Sequence, residues 1–72
     1  MKDIFTEEEL EADPILKYFN YKHLPNNLQP VSRAFYVQAL QIVRLTERNA
    51  ERSAGLRKLL EAKDCIVRAS LK

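Results

Sequence analysis

Residues 49–69, Asn-Ala-Glu-Arg-Ser-Ala-Gly-Leu-Arg-Lys-Leu-Leu-Glu-Ala-Lys-Asp-Cys-Ile-Val-Arg-Ala, constrain this chain more than any other stretch. The pattern predicts a helix with Asn49 as its N-cap. Its apolar residues fall on two adjacent lines. Leu56, Leu60, Val67 and Leu71 make one, and Leu59, Ala62, Ile66 and Ala69 make the other. Such a face is wider than the seam of a two-helix pair requires. A short helix with more apolar surface than one neighbour can cover implies assembly, and self-association is the least costly route. The helix is also basic, so an assembly would repeat any pocket it offers to an anion. Gly55 interrupts the pattern at a cost of about 1 kcal/mol relative to Ala. It reads as a close approach by another backbone or a ligand, or as a tolerated defect near the helix start.

The rest of the chain supplies the frame. Thr6 followed by Glu9 is a capping-box pattern, which predicts a short helix over Glu7–Ala12. Asp13 and Pro14 then read as N-cap and first residue of a second short turn, Pro14–Phe19. The two pieces are alternatively one bent helix. Residues 20–28 form a loop, with Pro25, Asn26 and Asn27 as turn formers. The approach to it is aromatic and basic: Tyr18, Phe19, Asn20, Tyr21, Lys22, His23. Pro30 opens a long helix whose apolar stripe is Val31, Phe35, Ala39, Ile42 and Thr46, with Tyr36, Leu40 and Val43 beside it. The link near Glu47 and Arg48 is short, so the long helices, over 30–47 and 50–70, should be antiparallel neighbours. The expected architecture is all-α: one helical hairpin domain over 1–72 with a short N-terminal helix, assembled as a homo-oligomer.

A chain of 72 residues is marginal as a lone domain and commonly relies on disulfides, a metal or oligomerisation. Cys65 is the only cysteine and His23 the only histidine. An intrachain disulfide is therefore impossible, and no familiar zinc spacing exists. One unpaired cysteine suits a reducing compartment. The N-terminal residues are acidic where a signal peptide is basic, and no apolar run approaches the roughly 20 residues needed to span a bilayer. A soluble, intracellular protein is expected. The net charge of +2 conceals an asymmetry. Residues 1–13 hold one lysine against six carboxylates, a net of −5; residues 14–72 hold eleven cations against four carboxylates, a net of +7. The body is either an ordinary solvated surface or one that attracts phosphates. The acidic arm is then expected to limit promiscuous nucleic-acid binding.

No catalytic constellation is visible. A lone histidine in a loop gives no Ser-His-Asp set. Cys65 and His23 are a conceivable nucleophilic pair, but Cys65 stands among Ala62, Ile66 and Ala69 and is expected to be packed and inert. Glu7, Glu8 and Glu9 read as a solvated helix start. There is no glycine-rich phosphate loop. The chain reads as a binder without cofactor, metal or catalytic residues. Its candidate binding set is aromatic and cationic. Tyr21 would stack on a base. Lys22, Arg33, Arg52 and Lys63 would pair with phosphate, and Ser53 would donate a hydrogen bond. The ordinary alternatives are a core aromatic for Tyr21 and solvation for each cation. Arg44, Arg48, Arg57 and Lys58 read as plain surface residues.

Three segments together resemble a known family. They are Phe19-Asn-Tyr21-Lys-His-Leu-Pro25, the helix entry Leu28-Gln29-Pro30-Val-Ser-Arg33, and Glu51-Arg-Ser53 followed by Leu56-Arg-Lys-Leu-Leu-Glu-Ala-Lys-Asp64. In order and spacing they are similar to the small phage hairpin-domain proteins that act as anti-CBASS sponges. CBASS is a bacterial antiphage system that signals with cyclic oligonucleotides, and the sponges bind those messengers without cleaving them. The resemblance covers roughly residues 19–70. It implies a hexamer, a trimer of dimers, with cyclic-dinucleotide pockets between protomers in the cytoplasm of an infected host. It places Tyr21 on a purine and Arg33, with Lys22, on the phosphates. A second site for cyclic trinucleotides falls at Arg52 and Ser53. Stable binding of DNA or RNA polymers, or of a membrane, is not expected. The chain departs from many relatives at Asp64-Cys65-Ile66-Val67, and has Tyr36 where a cation could face the ligand. The rival readings are a small nucleic-acid-binding regulator and a module that binds a host protein.

Overall fold

The structure, a computed structural model, describes residues 4–71. All regular structure among them is helical: α1 (Glu7–Ala12), a 3₁₀ helix (Pro14–Phe19), α2 (Gln29–Leu45) and α3 (Ala50–Ala69). Residues 1–3 and 72 of the expected arm and domain lie outside the described residues.

The local chemistry behind each boundary is visible. Thr6 Oγ1 accepts from the Glu9 amide at 3.1 Å, and the Glu9 carboxylate accepts from the Thr6 amide at 2.8 Å, closing the capping box. Pro14 sits in the first turn of the 3₁₀ helix, where its missing N–H costs nothing. The chain thus forms two short helices and not one bent one. Pro30 does the same for α2. Asn49 caps α3 through its side-chain oxygen, which accepts from the Arg52 amide at 2.8 Å.

α2 stops at Leu45, two residues before the expected end. Thr46 turns extended there, and its hydroxyl donates to the Ile42 carbonyl at 2.6 Å. Arg52 from α3 then donates to the carbonyls of Val43, at 3.2 Å, and Thr46, at 2.8 Å. A helix leaves its last carbonyls without intrahelical partners, and a cation is the favourable cap for them.

The two long helices are in contact and fold back on one another. With 17 and 20 residues they would measure about 25 and 30 Å. The longest dimension of the molecule is only 38 Å, too short for them end to end.

The core is keyed by the short elements. Leu16 and Phe19 of the 3₁₀ helix are fully buried, and that helix touches α1, α2 and α3. Phe5, Ala39, Leu40 and Leu56 complete the buried cluster, with Phe35, Tyr36, Ile42, Val43, Leu59 and Leu60 packed around it. Burying a Leu or Phe side chain is worth about 1.5–3 kcal/mol. Much of the apolar surface that the hairpin alone cannot cover is therefore covered by residues 5–19.

The cover is incomplete toward the end of α3. Ile66 is 45 % exposed and Leu71 60 %, and Ala62, Cys65 and Ala69 are exposed as well. The expectation of a packed Cys65 thiol is corrected here: its sulfur lies on the surface, 3.5 Å from Arg68 Nη2. It sits on the α3 line that the N-terminal segment does not reach. Gly55 is exposed too, and a Cβ there would meet nothing within 4 Å. Within the chain, no backbone approaches it closely.

Candidate ligand-binding site

The expected site residues divide between the two ends of the hairpin. Tyr21 and Lys22 lie in the loop and Arg33 near the start of α2 that follows it, and Arg52 and Ser53 stand near the link between α2 and α3.

At the loop end, residues 20–28 fold as two successive turns. Leu24 N donates to the Tyr21 carbonyl at 3.1 Å, and Leu28 N to the Pro25 carbonyl at 2.9 Å. Asn20 Oδ1 accepts from the Lys22 amide at 3.2 Å, a local side-chain bond that favours turns. Gln29, at the start of α2, ties the loop down: its Nε2 donates to the carbonyls of Leu24, at 2.9 Å, and Lys22, at 3.3 Å. Lys22 and His23 are left at the surface on an anchored backbone.

Tyr21 is half-buried. Its ring meets Tyr36 edge-on, with centroids 5.4 Å apart and planes at 76°. Tyr36 in turn packs on Phe5 at 4.9 Å, and its hydroxyl accepts from the Phe5 amide at 3.1 Å. The tyrosine at position 36 is therefore a keystone joining the N-terminal segment, α2 and the loop. The Tyr21 and Tyr36 rings meet at a steep angle, a favourable aromatic arrangement that helps fix the position of Tyr21. Arg33 is exposed and lies one helical turn before Tyr36, so it shares the start of α2 with that aromatic group. Arg33 and Lys22 make no side-chain hydrogen bond or ion pair among the described residues.

Near the link the same residue type behaves differently. Arg52 Nη2 donates to Asp13 Oδ2 at 2.6 Å, and both side chains are buried. With Nη1 on two carbonyls, Nε is the guanidinium nitrogen buried without a hydrogen-bond partner among the described residues. Arg52, expected in the ligand set, is instead a structural cation that joins the 3₁₀ helix, the end of α2 and the start of α3. Ser53 is exposed and borders a shallow cleft of about 350 Å³ with Asp13, Arg48 and Arg57.

Two arginines read as plain surface residues turn out to be fasteners. Arg44 Nε donates to Glu9 Oε2 at 3.1 Å, and its Nη2 donates to the Ile4 carbonyl at 2.9 Å. This guanidinium, with the Thr6 amide, holds the Glu9 carboxyl below the ordinary glutamate range. Arg48 Nε donates to the Ala12 carbonyl at 3.0 Å and lies 4.0 Å from Asp13. The sequence signal was present: Arg44, Arg48 and Arg52 recur every four residues, matched by Glu9 and Asp13 at the same spacing. The acidic arm is thus not a free tether. Its Glu9 and Asp13 are held against the hairpin, while Glu7, Glu8 and Glu11 remain exposed.

Lys63 is also unlike a surface cation. It is 8 % exposed, and its ammonium donates to the Tyr18 carbonyl at 2.7 Å. Among the described residues no group of three or more His, Cys, Asp or Glu could hold a metal ion. No described helix is long and apolar enough to cross a membrane.

Compared with family models, with curated proteins and with solved structures, the chain matches none.

Proposed function

We propose that this protein is a non-catalytic sponge for cyclic oligonucleotides, one that lowers the free messenger by stoichiometric binding and so blunts CBASS signalling in an infected bacterium. The observation that carries the reading is the juxtaposition at the loop end. Tyr21, packed on Tyr36, and the exposed Lys22 stand on an anchored turn, and the exposed Arg33 lies one helical turn before Tyr36 on α2; neither cation has an ion pair among the described residues. Stacking plus charge-assisted pairing is the chemistry a purine and its phosphate require. The resemblance to the hairpin-domain sponges supplies the ligand class. Sequestration needs no acid, base or metal, only affinity.

The half-covered face of α3 supports the second part of the proposal, a homo-oligomer with pockets shared between copies. A hexamer is the form the resemblance implies. The same face would serve a module that binds a host protein. A nucleic-acid regulator is less favoured by the geometry, because Arg44, Arg48 and Arg52 are engaged within the chain and leave few cations for a long phosphate backbone.

Native mass spectrometry with a panel of cyclic di- and trinucleotides tests the reading. The expected result is a multimer carrying intact cyclic ligand. Tyr21→Ala should weaken binding by about 1–3 kcal/mol, and Tyr21→Phe by less, since the π face remains. A monomer that ignores every cyclic nucleotide, or bound ligand recovered as linear product, would overturn it.

A further inference from the structure

A second cleft, of about 320 Å³, lies between the 3₁₀ helix and α3. Lys17, Tyr18, Asn20 and His23 border it on one side, and Lys63 and Asp64 on the other. The cleft adjoins the loop through Asn20 and His23 but includes none of Tyr21, Lys22 and Arg33. From this cleft we infer a binding site for a nucleoside monophosphate, with the base against Tyr18 and the phosphate at Lys63, supported by Lys17 and His23.

The inference starts from Lys63. An ammonium has three donors, and here one is spent on the Tyr18 carbonyl. Lys63 makes no ion pair among the described residues, although it is 8 % exposed and Asp64 is its neighbour in sequence. A buried cation without a counter-ion is costly, and an anion in the adjoining cleft would offset that cost. The contrast with Arg52 is direct, for that buried cation has Asp13.

The remaining walls match the rest of such a ligand. Tyr18 is 59 % exposed, more open to solvent than the half-buried Tyr21. The Lys17 ammonium stands over one face of the Tyr18 ring, 5.6 Å from its centroid, so a base would stack on the opposite face. Two lysines outweigh the single carboxylate at neutral pH. Asp64, which can only accept when ionised, suits the hydroxyls of a ribose. The volume lies at the small end of ligand sites, which fits a mononucleotide and not a cyclic oligonucleotide.

The test is an amide-resolved NMR titration of the full chain with AMP, and separately with adenosine and with inorganic phosphate. AMP should shift the amides of residues 17–23 and 60–64, with each half-ligand binding about tenfold more weakly. Lys17→Ala and Tyr18→Ala are exposed substitutions that keep the fold, and each should weaken AMP by about tenfold. Lys63→Met probes the buried ammonium directly, its fold checked by circular dichroism. Absence of AMP shifts in the cleft, or unchanged affinity in both exposed variants, would overturn the site. Arg33→Ala should leave AMP binding intact. Failure of the sponge reading would appear as silence toward cyclic oligonucleotides, and failure of the cleft as silence toward AMP.

Discussion

Where α2 gives way to α3, Arg44, Arg48 and Arg52 turn toward the N-terminal segment and fasten it. At the opposite end, Lys22, His23 and Arg33 face solvent with no ion pair among the described residues. Arg33 and Arg44 lie on one helix, about 16 Å apart along its axis. The difference is made by what the fold brings alongside. The capping box and Pro14 set α1 and the 3₁₀ helix so that Glu9 and Asp13 lie against the link, and among the described residues no carboxylate pairs with Lys22 or Arg33. A basic residue is thus a fastener or a free charge according to the position of an acidic neighbour distant in sequence. The fastening end should be sensitive in stability, and the loop end in binding.

The largest expected effect breaks the fastening. Asp13→Ala leaves the Arg52 guanidinium buried without its anion, a change worth about 3–5 kcal/mol. Urea denaturation followed by circular dichroism measures it. Replacing both partners, Asp13→Asn with Arg52→Met, should recover much of the loss, because no buried charge is then stranded. A loss under about 1 kcal/mol for Asp13→Ala would mean that the N-terminal segment contributes little to the hairpin, and the contrast between the ends would fail.

Glu9→Gln should cost less, about 1 kcal/mol, because the Arg44–Glu9 pair is partly open to water. Its pH dependence has a definite sign. Arg44 lowers the folded-state value of Glu9, so the pair's stabilisation is complete above the ordinary glutamate range. It is lost as pH falls through the folded value. The stability gap between wild type and Glu9→Gln should therefore be constant near neutrality and close in acid. A gap that persists at the acid end would assign the contribution to something other than the charge.

The helices and their caps were legible because their causes are local. Thr6 with Glu9, Pro14, Pro30 and Asn49 each act within one turn. The largest departure at a boundary is instructive, since α2 ends two residues early where Arg52 takes its last carbonyls, a contact between helices. The site was less legible for the same reason. Arg44 and Arg52 differ from Arg33 chiefly through carboxylate partners more than 30 residues away. Cys65 was expected to be packed because its neighbours are apolar, yet apolar neighbours on a helix say nothing about whether that line has a partner. Tyr21 was singled out over Tyr18, yet their difference in exposure depends on Tyr36, which packs against Tyr21 from a distant part of the chain while Tyr18 is left exposed.

Gly55→Ala sharpens the contrast from the side of assembly. A Cβ there meets open space and the backbone is helical, so the monomer should gain about 1 kcal/mol from propensity alone. Thermal denaturation and sedimentation, run together, separate two roles. A higher melting temperature with an unchanged assembly makes Gly55 a tolerated defect. A weakened assembly makes it a contact between copies.

The smallest effect on stability, and the one most tied to function, belongs to Arg33. It is exposed and has no ion pair among the described residues, so Arg33→Ala should change the unfolding free energy from urea denaturation by under about 0.5 kcal/mol. The same substitution should weaken a cyclic dinucleotide markedly, because a cation paired with phosphate is removed. A salt series distinguishes this from polymer binding. Each phosphate neutralised on a duplex releases counter-ions, so duplex affinity falls steeply with salt. A compact ligand with two or three phosphates and one stacked base should lose much less. Fluorescence polarisation with both ligands, for wild type and Arg33→Ala, reads the two dependences together. A large loss of stability in Arg33→Ala would make the loop end another fastening. Tight duplex binding that survives physiological salt would turn its free cations into a nucleic-acid surface.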